Sequence, residues 1–170
     1  MADNQLLLEE EDGVGGGDHI FVYTGGEQEV PRDVKRVRIA ENVDTIPAWT
    51  FHECYQLIEV KGHDKIKKIE QSAFYKCAHL RRVTKMTGII EIGKNAFNSC
   101  HALSEIEFDR LEIIVAGAFS RCESIRSINM PSIRRVGRSA FNGCDALTDA
   151  VFGKDLERIE EYTSSTTAGP

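Results

Sequence analysis

The 170-residue chain lacks several features that would point to common functional classes. It has no basic excess: 21 lysines and arginines against 27 aspartates and glutamates give a net charge of −6, which argues against a general nucleic-acid or anionic-membrane binder. No apolar run approaches the ~20 residues needed to span a bilayer. The N-terminus shows neither the basic start nor the apolar stretch of a secretory signal, so we expect a cytoplasmic location. The odd count of five cysteines argues against a complete disulfide framework.

An internal repeat dominates what the chain does contain. Segments superpose when they are aligned on an Ala-Phe pair, and the phenylalanines follow one another at 23, 23, 22 and 22 residues. These residues are Phe51, Phe74, Phe97, Phe119 and Phe141, each followed three positions later by Cys54, Cys77, Cys100, Cys122 or Cys144. A unit of this length cannot bury its own apolar face, so successive units must stack and share one core.

The apolar spacing within a unit predicts its local structure. Apolar residues two apart, such as Ile128 and Met130, indicate a short strand with one buried face. The Ala-Phe-x-x-Cys tract has apolar residues three apart, which fits a short helical turn. The predicted fold class is therefore an α/β repeat solenoid. It stacks 22–23-residue units, with one parallel sheet and short helical turns on the opposite side.

The repeated unit resembles the BspA-type leucine-rich repeat, whose unit reads I-G-x-x-A-F-x-x-C-x-x-L-x-x-I-x-I-P. The resemblance extends over about residues 34 to 160 and implies a leucine-rich-repeat fold with a role in protein binding or adhesion. The chain departs from this unit in keeping the family glycine only at Gly93 and Gly137 and the final proline only at Pro131. Trp49 stands where the other copies have Ser, Asn or Gly, so the first full unit must make local room for it.

The ends of the chain depart from the repeat. We predict that residues 1–18, which are acidic and glycine-rich, are disordered, and that residues 19–42 form an N-terminal cap and a half repeat. Residues 43–162 form the solenoid, with five full units and a truncated sixth. Residues 163–170 form a disordered tail.

The cysteines have one structural and three chemical interpretations. All five occupy the same slot of the repeat, which predicts a buried ladder of reduced thiols, each near the phenylalanine of its unit. Zinc could bind Cys77 and Cys100 with His79 and His101, although the two histidines stand at different offsets from their cysteines. Disulfides between units and a reactive thiol are the other possibilities, but five equivalent copies argue against a unique nucleophile. We predict no cofactor, metal site or catalytic residue.

Outward-facing strand positions are the candidate partner-binding residues. They are Arg36, Arg38, Glu59, Lys61, Arg82, Glu105, Glu107 and Asn129. The column that begins at Arg36 alternates in sign, so it could neutralise itself across strands that lie ~4.8 Å apart. Alternatively, the face is a recognition surface whose basic N-terminal end binds a protein or peptide of opposite polarity. Its charges are too mixed to track the phosphates of a nucleic acid.

These observations predict a non-enzymatic protein–protein interaction module that uses the sheet face of the solenoid. The alternative is a cell-surface adhesion protein of the BspA type, which the resemblance implies and which would require export.

Overall fold

The computed structural model describes residues 19–160, in which every regular element is a β-strand. The predicted disordered segments 1–18 and 163–170 lie outside these residues. A front set of strands comprises β1 (Ile20–Tyr23), β2 (Arg36–Ile39), β4 (Glu59–Lys61), β6 (Arg82–Thr84), β8 (Glu105–Ile106), β10 (Ser127–Met130) and β12 (Asp149–Phe152). A back set comprises β3 (Thr45–Ile46), β5 (Lys68–Ile69), β7 (Glu91–Ile92), β9 (Ile113–Ile114), β11 (Arg135–Val136) and β13 (Arg158–Ile159).

The front strands pair in parallel, one repeat unit to the next. Arg36 stands opposite Glu59, and Glu59 opposite Arg82, so equal positions of successive units lie side by side. The order is β1-β2-β4-β6-β8, and a separate ladder joins β10 to β12. The break between the two ladders falls where the unit shortens from 23 to 22 residues. The front face is therefore not one continuous sheet.

A second parallel sheet corrects the prediction of a single sheet. Six strands of two residues each pair in the order β13-β11-β9-β7-β5-β3 and form a sheet on another side of the solenoid. The first five, β3 to β11, each bury one apolar side chain, such as Ile46 or Ile69, and direct the other residue outward, whereas both residues of β13 are exposed. The apolar residue was visible in the sequence, but two residues are too few to show the alternation that identifies a strand.

The predicted helical turns are not confirmed. No helix occurs within residues 19–160; the Ala-Phe-x-x-Cys tracts form consecutive hydrogen-bonded turns instead. Residues two before and two after the phenylalanine have left-handed backbone angles, as at Ser72 (φ 55°) and Lys76 (φ 60°), and these interrupt any right-handed helix. Every second amide along the tract, including that of Phe74, donates to a carbonyl of the next unit. The turns therefore bond to their neighbours as the strands do.

None of the described residues forms a helix that could cross a membrane.

Parallel phenylalanine rings run through the centre of the solenoid. Centroids of successive rings lie 5.1, 5.0, 5.4 and 5.4 Å apart, with interplanar angles of 5° or less. Tyr23 of β1 is buried and lies edge-on to Phe51, the first ring of the stack, at 5.3 Å. The aromatic stack extends in this way from the first strand through every full unit.

The cysteines form the predicted buried ladder of reduced thiols. All five are buried and unbridged. In the inner units each thiol donates to the phenylalanine carbonyl one unit back; the distance is 3.0 Å from Cys77 Sγ to Phe51 O and 3.1 Å from Cys100 Sγ to Phe74 O. The thiol thus packs as a small apolar group and also satisfies a buried carbonyl.

Candidate functional site

The first outward column of the front sheet neutralises part of its own charge. One carboxylate oxygen, Glu59 Oε2, lies 3.9 Å from Arg36 Nε and 3.6 Å from Arg82 Nη2. All three side chains are partly exposed, so these ion pairs add little to stability. They hold the guanidinium groups in place above three adjacent strands, as the self-pairing interpretation of this column predicts.

A groove of about 350 Å³ lies at the N-terminal end of the front sheet. It is lined by Ile20, Val22, Arg36, Val37, Arg38, Glu59 and Lys61. The structure thus brings together four of the predicted site residues, those on β2 and β4. Sequence analysis missed Ile20 and Val22, which β1 places opposite Arg36 and Arg38. The available signal was the apolar run 20–23 before the first unit, in which residues two apart lie on the same face of a strand.

Positive charge is concentrated in the second outward column. Arg38 of β2 stands directly opposite Lys61 of β4, so two cations lie on adjacent strands, and Thr84 follows on β6. Lys61 is exposed and makes no ion pair within residues 19–160. Unlike the first column, this one contains no carboxylate between its cations. The groove is therefore apolar on the β1 side, while β2 and β4 line it with three cations and the single carboxylate of Glu59.

Glu107 does not lie in the strand column that the sequence predicted for it. Strand β8 ends at Ile106, and Glu107 instead lines a depression of about 440 Å³ beside the groove. Arg38 and Lys61 border both spaces. The reason is the shorter turn after β8, which ends the strand one residue before Glu107. An acidic side chain therefore faces the two cations from the turn.

The remaining predicted residues lie outside the groove. Glu105 stands opposite Arg82 on β8, the last strand of the five-stranded sheet, and is exposed. Asn129 is on β10, which belongs to the separate two-stranded sheet, so the expected continuous column does not reach it. The candidate site is thus smaller than predicted and is centred on β1, β2 and β4.

The described residues do not assemble a metal site or an activated thiol. They contain no cluster of three or more His, Cys, Asp or Glu side chains that could hold a metal ion. His79 Nδ1 lies 2.6 Å from Tyr55 O, and His101 Nδ1 lies 3.0 Å from Glu123 Oε1. Burial raises the pKa of the Cys100 and Cys122 thiols well above its ordinary value, the opposite of what a nucleophile needs.

The stacked units, the phenylalanine and cysteine columns and the parallel sheets agree with a family model for the BspA type leucine-rich repeat region. Six copies of that model match residues 31–148 and 108–167. The chain belongs to the BspA-type leucine-rich repeat family. This confirms the resemblance that the sequence showed. No curated protein matches the chain.

Solved bacterial leucine-rich repeat structures share the fold. A leucine-rich cell surface protein from Faecalibacterium prausnitzii A2-165 is 25% identical with a TM-score of 0.66, and the match covers 94% of this chain but 46% of that protein. The leucine-rich repeat protein of T. pallidum is 21% identical with a TM-score of 0.62, and the match covers 84% of this chain and 83% of that protein. A leucine-rich repeat protein from Eubacterium ventriosum is 18% identical with a TM-score of 0.63, and the match covers 78% of this chain and 44% of that protein. The chain thus spans less than half the length of the Faecalibacterium protein.

Proposed function

We propose that this BspA-type solenoid is a non-enzymatic protein-interaction module that binds an acidic extended segment of a partner protein in the front-sheet groove. The observation that carries the proposal is the arrangement of β1, β2 and β4. Exposed Ile20 and half-buried Val22 supply apolar contact area on one side, and Arg38 and Lys61 supply positive charge on the other. Extended repeat surfaces suit this use, and a complementary charge would fix the direction in which the segment lies.

The buried thiols support a non-enzymatic role. No thiol is exposed, and burial raises the pKa of Cys54 and of Cys144 to about 11. Reduced cysteines also suit a cytoplasmic setting, which forms part of the proposal.

Charge reversal at Lys61 tests the groove. A labelled oligoglutamate peptide serves as the probe, and its fluorescence anisotropy is followed during titration with the protein at low and high salt. The Lys61→Glu variant should bind at least about tenfold more weakly than the wild type at low salt, a loss that shrinks as salt screens the interaction. Lys154→Glu, an exposed lysine in the last unit, is the matched control and should bind as the wild type does. Equal binding by both variants would exclude the groove as the site.

Surface adhesion is the second candidate, because one similar structure is a leucine-rich cell surface protein. Labelling of intact cells with a membrane-impermeant amine reagent distinguishes the two settings. A labelled protein would favour adhesion. Protection until the cells are lysed would favour the cytoplasmic module.

A further inference from the structure

The chain itself carries a short segment whose composition complements the front-sheet groove. Residues 6–12 read Leu-Leu-Leu-Glu-Glu-Glu-Asp, so three apolar side chains are followed at once by four carboxylates. No other part of the sequence has four acids in a row. These residues precede the described range 19–160, and the glycine-rich residues 13–17 separate them from β1.

The groove offers a matching pair of surfaces. Ile20 and Val22 of β1 line its apolar side, and three cations with one carboxylate line the rest. That carboxylate, Glu59, lies 3.9 Å from Arg36 and 3.6 Å from Arg82, so its charge is directed along the first outward column. In the second column Lys61 is exposed and makes no ion pair within residues 19–160. A carboxylate-rich segment would therefore find its complement at the second column.

We propose that residues 6–12 of this chain bind in the front-sheet groove and compete there with the acidic segment of a partner protein. The inference rests on the function proposed above and adds a means of regulating the same site. The leucines would contact Ile20 and Val22, and the acids would face Arg38 and Lys61. A segment that is predicted to be disordered by itself can still be ordered by a complementary surface.

The length of chain before β1 is sufficient for this contact. Two strand spacings of ~4.8 Å and a two-residue offset separate Ile20 from Lys61, which places their Cα atoms about 12 Å apart. The seven residue steps from Asp12 to His19 can span up to about 25 Å. Glycine permits the backbone angles that a reversal of the chain direction requires. Asp12 can therefore return to a position above Lys61.

The order of side chains in the segment also suits the width of the groove. The apolar side is on β1, and β4 lies two strand spacings away, at about 10 Å. Three residue steps, as from Leu7 to Glu10, span about 10 Å when the chain is extended. A segment that crosses the strands can thus place its leucines over β1 while its acids lie over β4.

The chain's own segment has an advantage over the same segment of a second copy. A binding segment held by a short linker has an effective concentration in the millimolar range. At micromolar protein concentration a second copy supplies about a thousandfold less of it. The contact should therefore form within one chain.

Carbodiimide cross-linking of the full chain tests the contact directly, because it joins a lysine amine to a carboxylate that touches it. We expect an amide between Lys61 and one of residues 9–12, identified by mass spectrometry in the fraction that remains monomeric on a denaturing gel. High salt should reduce its yield, since salt screens the attraction. The exposed Lys154 of the last unit should form no link to residues 9–12.

Competition is tested with the labelled oligoglutamate peptide and two variants of the full chain. The acid-neutral variant combines Glu9→Gln, Glu10→Gln, Glu11→Gln and Asp12→Asn. Its affinity for the peptide at low salt should rise about three- to tenfold, because the groove is no longer partly occupied. The charge-matched control removes four exposed acids elsewhere and should gain at most about twofold. It combines Glu27→Gln, Glu29→Gln, Asp145→Asn and Asp155→Asn.

Replacement of the leucines provides a test that leaves the net charge unchanged. Leu6→Ser, Leu7→Ser and Leu8→Ser together remove the apolar contact with β1, so the oligoglutamate affinity should again rise, by about twofold or more. An increase in this variant cannot come from a general change of charge.

Two results would overturn the proposal: a wild-type chain in which Lys61 forms no link to residues 9–12, and an acid-neutral variant that binds oligoglutamate no more tightly than its charge-matched control. If that variant binds the peptide through Lys61 while the wild type forms no link, the groove stands and its occupation by residues 6–12 is refuted. If the acid-neutral variant binds no oligoglutamate at all, the partner proposal fails instead, and the competition fails with it.

Discussion

Phe97 is the central ring of the five-ring stack, and its removal provides a strong test of how the units hold together. Its centroid lies 5.0 Å from that of Phe74 and 5.4 Å from that of Phe119, so it has a parallel neighbour on both sides. Phe141, at the end of the stack, has one parallel neighbour, at 5.4 Å. The two residues occupy the same slot and are nearly equally buried, at 0% and 4% exposure. They differ in the number of stacked rings, and Phe97 also contacts the tilted ring of Phe108 at 6.3 Å.

The expected loss of stability follows from this difference. Truncation of a buried phenylalanine to alanine destabilises a protein by about 3–5 kcal/mol. An aromatic pair contributes about 0.5–1.5 kcal/mol beyond the area it buries. We therefore expect Phe97→Ala to lower the free energy of unfolding by about 5 kcal/mol, and Phe141→Ala by about 3–4 kcal/mol.

Urea titration followed by far-ultraviolet circular dichroism measures both values. Because the larger loss could unfold the chain, Phe97→Leu and Phe141→Leu form a milder pair that keeps most of the apolar volume and removes the stacking. The inner replacement should again be the more destabilising, by about 1 kcal/mol. If the end position proves equal or more sensitive in both pairs, the rings contribute by burial alone and the stacking argument is refuted.

Two further predictions concern close packing and the thiols. A Cβ at Gly88 would lie 1.7 Å from the carbonyl oxygen of Asp64 in the preceding unit, so Gly88→Ala should lower the free energy of unfolding by about 3 kcal/mol or more. The control Thr87→Ala should change it by no more than about 0.5 kcal/mol. The urea midpoint measures both variants, and a tolerated Gly88→Ala would contradict the observed spacing of the units. Burial raises the pKa of Cys54 and Cys144 from 9.0 to about 11, so the folded state favours the protonated thiols. The stability that they give should be complete below about pH 9 and should fall as the pH rises towards 11. A urea midpoint that stays constant from pH 8 to 11 would contradict this prediction.

The repeat allowed much of the fold to be predicted, because equal positions of stacked units must lie side by side. The pairing of Arg36 with Glu59 and the burial of Cys100 both follow from that rule. The conformation of the turns does not, since it depends on left-handed angles at residues such as Lys76 and Arg121, whose side chains have no special preference for them.

Prediction of the candidate sites was weaker for a related reason. Ile20 and Val22 belong to β1, which precedes the repeated residue pattern, so no repeated position identified their role in the groove. Residues 9–12 also precede that pattern, and their charge alone did not indicate which surface they would bind. Only the pairing of β1 with β2 brings the start of the described chain beside the cations.

The repeat itself separates structural residues from functional ones. A phenylalanine or cysteine present in every full unit is required for stacking, whatever the protein binds, so those columns carry no information about a partner. Arg36, Glu59 and Arg82 alternate in sign and pair with one another across neighbouring strands, so this column also reflects the stacking of the units. A residue that stacking does not require, and that departs from its own column, is a better indicator of function. Trp49 meets that condition in size and exposure, and Lys61, which lies opposite Arg38, breaks the alternation of charge between strands. The later units therefore supply the control residues for testing the first two.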